Sequence, residues 1–304
     1  MRTTENLHEA APGLDTLPAH EIATHLHVAQ QAAISAVSSV IPDLTRSAEL
    51  MAETIRGGGR LVYAAAGSSG LMAMADALEL PGTFGLPPSK IGILMPGGMP
   101  STSGMPGHVE DDVTGAASDM RTIEAGDTVI ILSASGSTPY AVEIARLACA
   151  KRAHIIAIAN NAEAPLFDHA DRAICLATPP ELVAGSTRMG AATAQKTALN
   201  IMSTLMGVLL GHVHDGMMVN LVADNEKLRK RAACIVSSIA HVPESTAREH
   251  LKSAGGAVKP AVLLAAGAAS MAQADQLLAS ASGHLRPALA ALEASSSETK
   301  ANQT

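Results

Sequence analysis

The sequence predicts an α/β protein built on a doubly wound parallel sheet, with helices before the sheet and a small helical subdomain after it. Three observations carry that reading. Between residues 57 and 220, short apolar runs alternate with longer segments of helical spacing. Strand–loop–helix units of that kind give a parallel sheet covered by helices on both faces. Two of the runs exit through loops made almost wholly of Gly and Ser, "AAGSSGL" and "SASGSTPY". From residue 221 the strands stop, and short helical segments separated by Gly and Pro take over.

The elements follow in order. Residues 1–56 read as an arm and helices: the arm closes at Pro18, "AHEIATHLHVAQQAAISAVSSV" has helical spacing, and a second helix past Pro42 stops at Gly57–Gly59. Within 57–220, "RLVYAAAG" is a buried strand and "SSGLMAMADALEL" a helix stopped by Pro81. "SKIGILMPGG" is a strand, and "HVEDDVTGAASDMRTI" one helix. "DTVIILS" and "HIIAIAN" are strands around the helix "TPYAVEIARLACAKR", and "RAICLAT" is one more strand. A long, largely buried helix spans "GSTRMGAATAQKTALNIMSTLMGVLLG". Residues 221–292 form the helical subdomain, and the polar, aperiodic tail 293–304 reads as disordered.

Composition narrows the function. A net charge of -7 leaves no basic footprint for nucleic acid and no pull toward anionic membranes. Two Phe, two Tyr, no Trp and 14 Met mean a core of aliphatic residues and Met. Cys149, Cys175 and Cys234 are far apart in apolar contexts, which predicts buried thiols and neither disulfide nor metal cluster. The His pairs 25/27 and 212/214 are two apart and do not converge on one helix face, so no metal site is expected. The N-terminus carries no signal-peptide core and no run is long enough to span a membrane, so the protein reads as cytoplasmic.

The two Gly–Ser loops are the chemical signal. Gly67, Ser68 and Ser69 in the first, and Ser133, Ser135, Gly136, Ser137 and Thr138 in the second, sit where a strand ends and a helix opens. Open parallel sheets bind ligands at that edge. A helix N-terminus offers unpaired N–H groups and partial positive charge, which suit a phosphate. Ser and Thr also cap helices, and for either loop alone that reading competes evenly. Two such loops in one sheet favour a phosphorylated ligand. Neither carries the Lys of a P-loop or a G-x-G-x-x-G pattern, which points to a phosphosugar rather than a nucleotide.

Both loops resemble those of the sugar isomerase (SIS) domain. The strings "GGGRLVYAAAGSSG", "ADALELPGTFG", "HVEDD", "PELVAGSTRMGAATAQKTALNIMST" and "VNLVADNEKLRKRA" are similar to the N-acetylmuramic acid 6-phosphate etherase family, with glucokinase regulatory protein as a distant relative. The resemblance implies cleavage of the D-lactyl ether of N-acetylmuramate 6-phosphate by elimination and hydration, without cofactor or metal. It implies a homodimer with shared active sites and a phosphorylated amino sugar as substrate. The acid that protonates the leaving lactate falls on Glu79, and the second catalytic carboxylate on Glu110. Glu79 is expected at the end of its helix, between Leu78 and Leu80, where dipole and apolar neighbours favour the neutral acid. Glu110 is expected in a helix's first turn, where negative charge is favoured. Glu181 is a third candidate, either moving protons as in related isomerases or scaffolding the loops. Arg188, Gln195 and Lys196 are candidates for sugar or carboxylate contacts, with helix–helix hydrogen bonding as the competing account.

Three family cations are neutral here: Leu71 and Ser137 stand where Arg is usual, and Gly190 where Lys is usual. Lys90 or Arg188 could compensate. The losses and the helical C-terminal subdomain keep one alternative open, a non-catalytic phosphosugar sensor; Glu181 as a proton carrier keeps another, an amino-sugar phosphate isomerase.

Overall fold

A computed structural model of the chain describes residues 3–100 and 107–301. A five-stranded sheet of order β2-β1-β3-β4-β5 is parallel throughout: β1 (Leu61–Ala65), β2 (Ile91–Leu94), β3 (Thr128–Ser133), β4 (His154–Ala159) and β5 (Arg172–Cys175). The central strands β1 and β3 are buried along their whole length, as a strand covered on both faces must be. Their side chains divide by parity. Val62, Ala64, Val129 and Ile131 pack with Tyr140, Ala141, Ile144 and Ala148 on one face. On the other face, Tyr63 donates to Asp76 Oδ2 at 2.9 Å.

The helices before the sheet are α1 (Ala19–Ser35), a short 3-10 segment to Val40, and α2 (Ile41–Arg56), which carries Pro42 in its first turn where no N–H is needed. α3 (Gly67–Phe84) follows β1 after one residue. It runs through Pro81, where the sequence predicted a stop, because the proline sits in the last turn and costs only one donor there. Gly85, with φ +64°, ends the helix, and its N–H donates to Pro81 O at 3.0 Å. "HVEDDVTGAASDMRTI" is not one helix. It is a 3-10 turn Gly107–Asp111, the short α4 (Val113–Asp119) and a second 3-10 turn Met120–Thr122. α5 (Pro139–Ala150) links β3 to β4, and α6 (Gly190–Leu209) follows the sheet.

Past α6 lie a small antiparallel pair, β6 (Val213–His214) and β7 (Met217–Met218), then α7 (Glu226–Ala240), α8 (Glu244–Ser253), α9 (Val258–Ala265), α10 (Met271–Ser280) and α11 (Leu285–Ala301). α11 continues to Ala301, so the tail expected to be disordered from residue 293 is helical over 293–301. Its Ala and Glu content and the apolar anchors Leu285, Ala288 and Leu292 start a helix that the polar end prolongs. The chain divides into two compact units, residues 1–78 with 89–205, and residues 79–88 with 206–304. The N-terminal helices thus group with the sheet rather than forming the separate segment 1–56, and the second unit begins before the expected boundary at 220.

None of the three thiols is fully buried. Cys149 and Cys234 are exposed and Cys175 is half-buried; in the helices of the first two, Ala148, Ala233 and Ile235 take the buried positions instead. Among the described residues no helix is long and apolar enough to cross a membrane.

Candidate functional site

β1 and β3 are adjacent and in register, with Ala65 opposite Leu132. The two Gly–Ser loops therefore leave the same sheet edge side by side. In the first, Gly67 has φ +55° and opens α3 directly, so the N–H groups of Ser68 and Ser69 lie in its first turn without intrahelical acceptors. Gly67 is also a point of close approach: a Cβ there would lie 2.5 Å from Glu110 Oε1. The Glu110 carboxyl group thus covers the backbone of the first loop.

The second loop is closed by its own hydroxyls. Ser133 Oγ lies 2.8 Å from Thr138 Oγ1 and accepts from Gly136 N at 3.0 Å. Ser135 Oγ accepts from Ser137 N and Ser137 Oγ, both at 3.2 Å. Thr138 stands at the N-cap position of α5, yet its side chain makes no capping bond. The capping account therefore does not explain its hydroxyl, which turns toward Ser133 instead. Gly136 has φ +70°, and a side chain there would overlap Ala164.

Two residues that the sequence reading passed over hold this loop. Asn161 Nδ2 donates to Ala134 O at 3.0 Å, Ser135 O at 3.3 Å and Thr4 Oγ1 at 3.4 Å. Asn160 N donates to Ala134 O, and the Asn160 side chain accepts from Gln195 Nε2 at 2.9 Å. The "NN" pair directly after β4 was the available signal, since buried amides at a strand end need partners.

The candidate carboxylates differ in setting. Glu110 does not sit in the first turn of an α-helix. The N-cap of α4 is Asp112, whose Oδ1 accepts from Gly115 N at 2.8 Å, so the favourable dipole falls to Asp112. Burial, and then the charge of Asp111, push the Glu110 pKa above the ordinary carboxylate value. Glu79 is exposed, with five more helical residues after it. Leu80 is buried but Leu78 is 60% exposed, so the expected apolar pair does not enclose Glu79. Glu79 belongs to the second compact unit and Glu110 to the first.

Glu181 is 5% exposed and both of its oxygens are occupied: Oε2 accepts from Gly190 N at 2.9 Å and Oε1 from Ala191 N at 2.8 Å. It caps α6. Gln195 is fully buried, its Nε2 bonded to Asn160 while its Oε1 has no partner among the described residues. Lys196 Nζ donates to Asn200 Oδ1 at 2.6 Å. Helix and loop bonding thus accounts for Lys196 and only for the amino end of Gln195. Arg188 is exposed in the loop ahead of α6. Lys90 cannot compensate for the missing cations at the loops. It immediately precedes β2, at the opposite edge of the sheet, and donates to Gly58 O. A cavity of about 620 Å³ lies at that opposite edge, but its Arg60 is bound to Asp127 at 2.6 Å. Tyr140 is buried and donates to Asp119 at 2.6 Å, a packing role. Among the described residues, no three His, Cys, Asp or Glu side chains are grouped to hold a metal.

Known proteins resemble this chain. A SIS domain matches residues 99–206. An N-acetylmuramic acid 6-phosphate etherase from Shouchella clausii is 35% identical over 286 residues, 93% of this chain and 96% of that protein. One from Streptomyces avermitilis is 37% identical over 291 residues, 95% of this chain and 94% of its own. A solved Escherichia coli protein covers 66% of this chain and 97% of its own at 14% identity and a TM-score of 0.50, a likeness of fold. Identity at the level of the two etherases, along nearly the whole length of both chains, means that this protein belongs to the N-acetylmuramic acid 6-phosphate etherase family.

Proposed function

We propose that the protein cleaves the D-lactyl ether of N-acetylmuramic acid 6-phosphate, giving N-acetylglucosamine 6-phosphate and D-lactate. The observation that supports this most is the Glu110 carboxyl group over Gly67, at the mouth of a loop suited to a phosphate. The amides of Ser68 and Ser69 and the hydroxyls of Ser133, Ser135, Ser137 and Thr138 bind the sugar ester. Ionised Glu110 removes the proton next to the carbonyl of the ring-opened sugar. The ether C–O bond breaks as the double bond forms, and Glu79 protonates the departing lactate oxygen. Glu79, now ionised, takes a proton from water as it adds to the double bond, and Glu110 returns its proton to carbon. Both groups end as they began. A raised pKa makes ionised Glu110 the stronger base, which suits that role.

Both Glu181 oxygens are engaged by backbone amides, which disfavours an isomerase built on that residue. The neutral Leu71, Ser137 and Gly190 favour a second reading, a phosphosugar sensor without turnover. Incubation with N-acetylmuramate 6-phosphate, followed by enzymatic detection of D-lactate, separates the two. Binding without release would sink the etherase reading.

The protein is further proposed to act in the cytoplasm as a homodimer. Within α1 only Ala33 is buried, while Val28 and Ile34 on the same helix are 54% and 43% exposed. Exposed aliphatic side chains on a helix whose Ile22 and Leu26 are only half-buried suit a symmetric partner.

A further inference from the structure

The second compact unit contains a cavity of about 630 Å³, lined by residues that include Asn220, Val222, Val258, Lys259, Leu278 and Gly283. That volume suits a small organic ligand. Lys259 is only 8% exposed, and its Nζ donates to Gly283 O at 2.8 Å. One carbonyl engages one of three ammonium protons. Among the described residues, no carboxylate lies within ion-pair distance of Lys259. A buried cation without a counter-charge is expensive to maintain. Burial accordingly lowers its pKa to about 8, which still leaves it charged at neutral pH. The groups around it do not compensate. His212 brings no negative charge, since burial and then the Lys259 charge lower its pKa to about 4, and its Nδ1 is buried without a partner among the described residues. Asp224, which also lines the cavity, is exposed.

We infer that this cavity binds a small monocarboxylate, its oxygens accepting from the Lys259 ammonium and its apolar body lying on Val222, Val258 and Leu278. One buried cation matches one negative charge. The second charge of a phosphate would be desolvated against aliphatic walls, with no second cation among the described lining residues to offset it. The inference concerns the second unit alone and does not depend on the reaction proposed above.

Calorimetric titration of the full chain with sodium acetate, D-lactate and inorganic phosphate, at constant ionic strength, tests it. Saturable binding of acetate and D-lactate is expected, weakened by about tenfold or more in Lys259→Met, the loss of a charge-assisted contact. Lys252→Met, on exposed surface nearby, leaves binding unchanged. Absence of saturable carboxylate binding, equal binding by Lys259→Met, or preference for phosphate overturns the inference. If Lys259→Met does not fold, the wild-type protein still decides. The carbon-13 titration midpoint of Lys259 must rise when acetate saturates the protein, because anion binding and lysine protonation are linked. An unmoved midpoint overturns it.

Discussion

Glu110 carries two separable predictions. In Glu110→Gln, D-lactate release should fall by about a hundredfold or more, the usual loss on removing a general base. The same change should not destabilise the protein at neutral pH. Its pKa is raised on folding, so its contribution to stability is full when protonated, below the ordinary glutamate value of about 4.3, and is lost as pH rises through the folded value. Glutamine stays neutral, so the thermal midpoint of the variant should equal or exceed wild type at pH 7, with the gain vanishing at low pH. A clear loss of stability at pH 7 would show that the carboxylate is structural. Asp111→Asn removes the second cause of the shift and should move the acid limb of the kcat/KM profile to lower pH. A candidate carboxylate in "HVEDD" was legible from the resemblance. Its setting was not, because a 3-10 turn and an α-helix begin with the same kinds of residue, and only coordinates showed that Asp112 takes the cap.

At the scale of elements, the loops and the helix starts are where sequence and structure meet. Gly67→Ala should cost about 1–2 kcal/mol from its left-handed backbone alone. It should also lower D-lactate release by displacing Glu110, as measured by parallel melts and assays. Glu181→Gln loses one of two backbone acceptor bonds at α6 and should lower stability by about 1 kcal/mol. Abolished turnover in a protein with an unchanged melting temperature would instead revive the proton-carrier reading. Restoring the family cation as Gly190→Lys should not help. A Cβ at 190 lies 3.1 Å from both Glu181 Oε2 and Ala33 Cβ, so it presses on the cap it needs. All five strands were legible: β1, β3 and β4 as buried apolar runs, and the outer β2 and β5 as shorter runs that keep an aliphatic centre. The end of α3 was not: Pro81 reads as a stop, and the tolerance of a proline in a last turn is set by Gly85 and the bonds around it. The β6–β7 pair, two residues a side, is too short to leave a periodic trace.

For the whole molecule, sedimentation velocity should show a dimer, and Val28→Glu combined with Ile34→Glu should shift it to monomer; a monomeric wild type would reject that assembly. The helical subdomain was visible as a change of punctuation after residue 220. The grouping of residues 79–88 with it was not, since the sequence of α3 carries no break at residue 79. Likewise the N-terminal residues gave no periodic sign of their importance. Yet Thr4, almost fully buried, shares the amide of Asn161 with the carbonyls of the second serine loop. Whoever prepares this protein for kinetics should therefore place an affinity tag at the far end. Clipping the first six residues would unfasten one of the anchors of the second serine loop, and if that loop binds the sugar ester as proposed, the assay would report the trimming as a weakened substrate affinity.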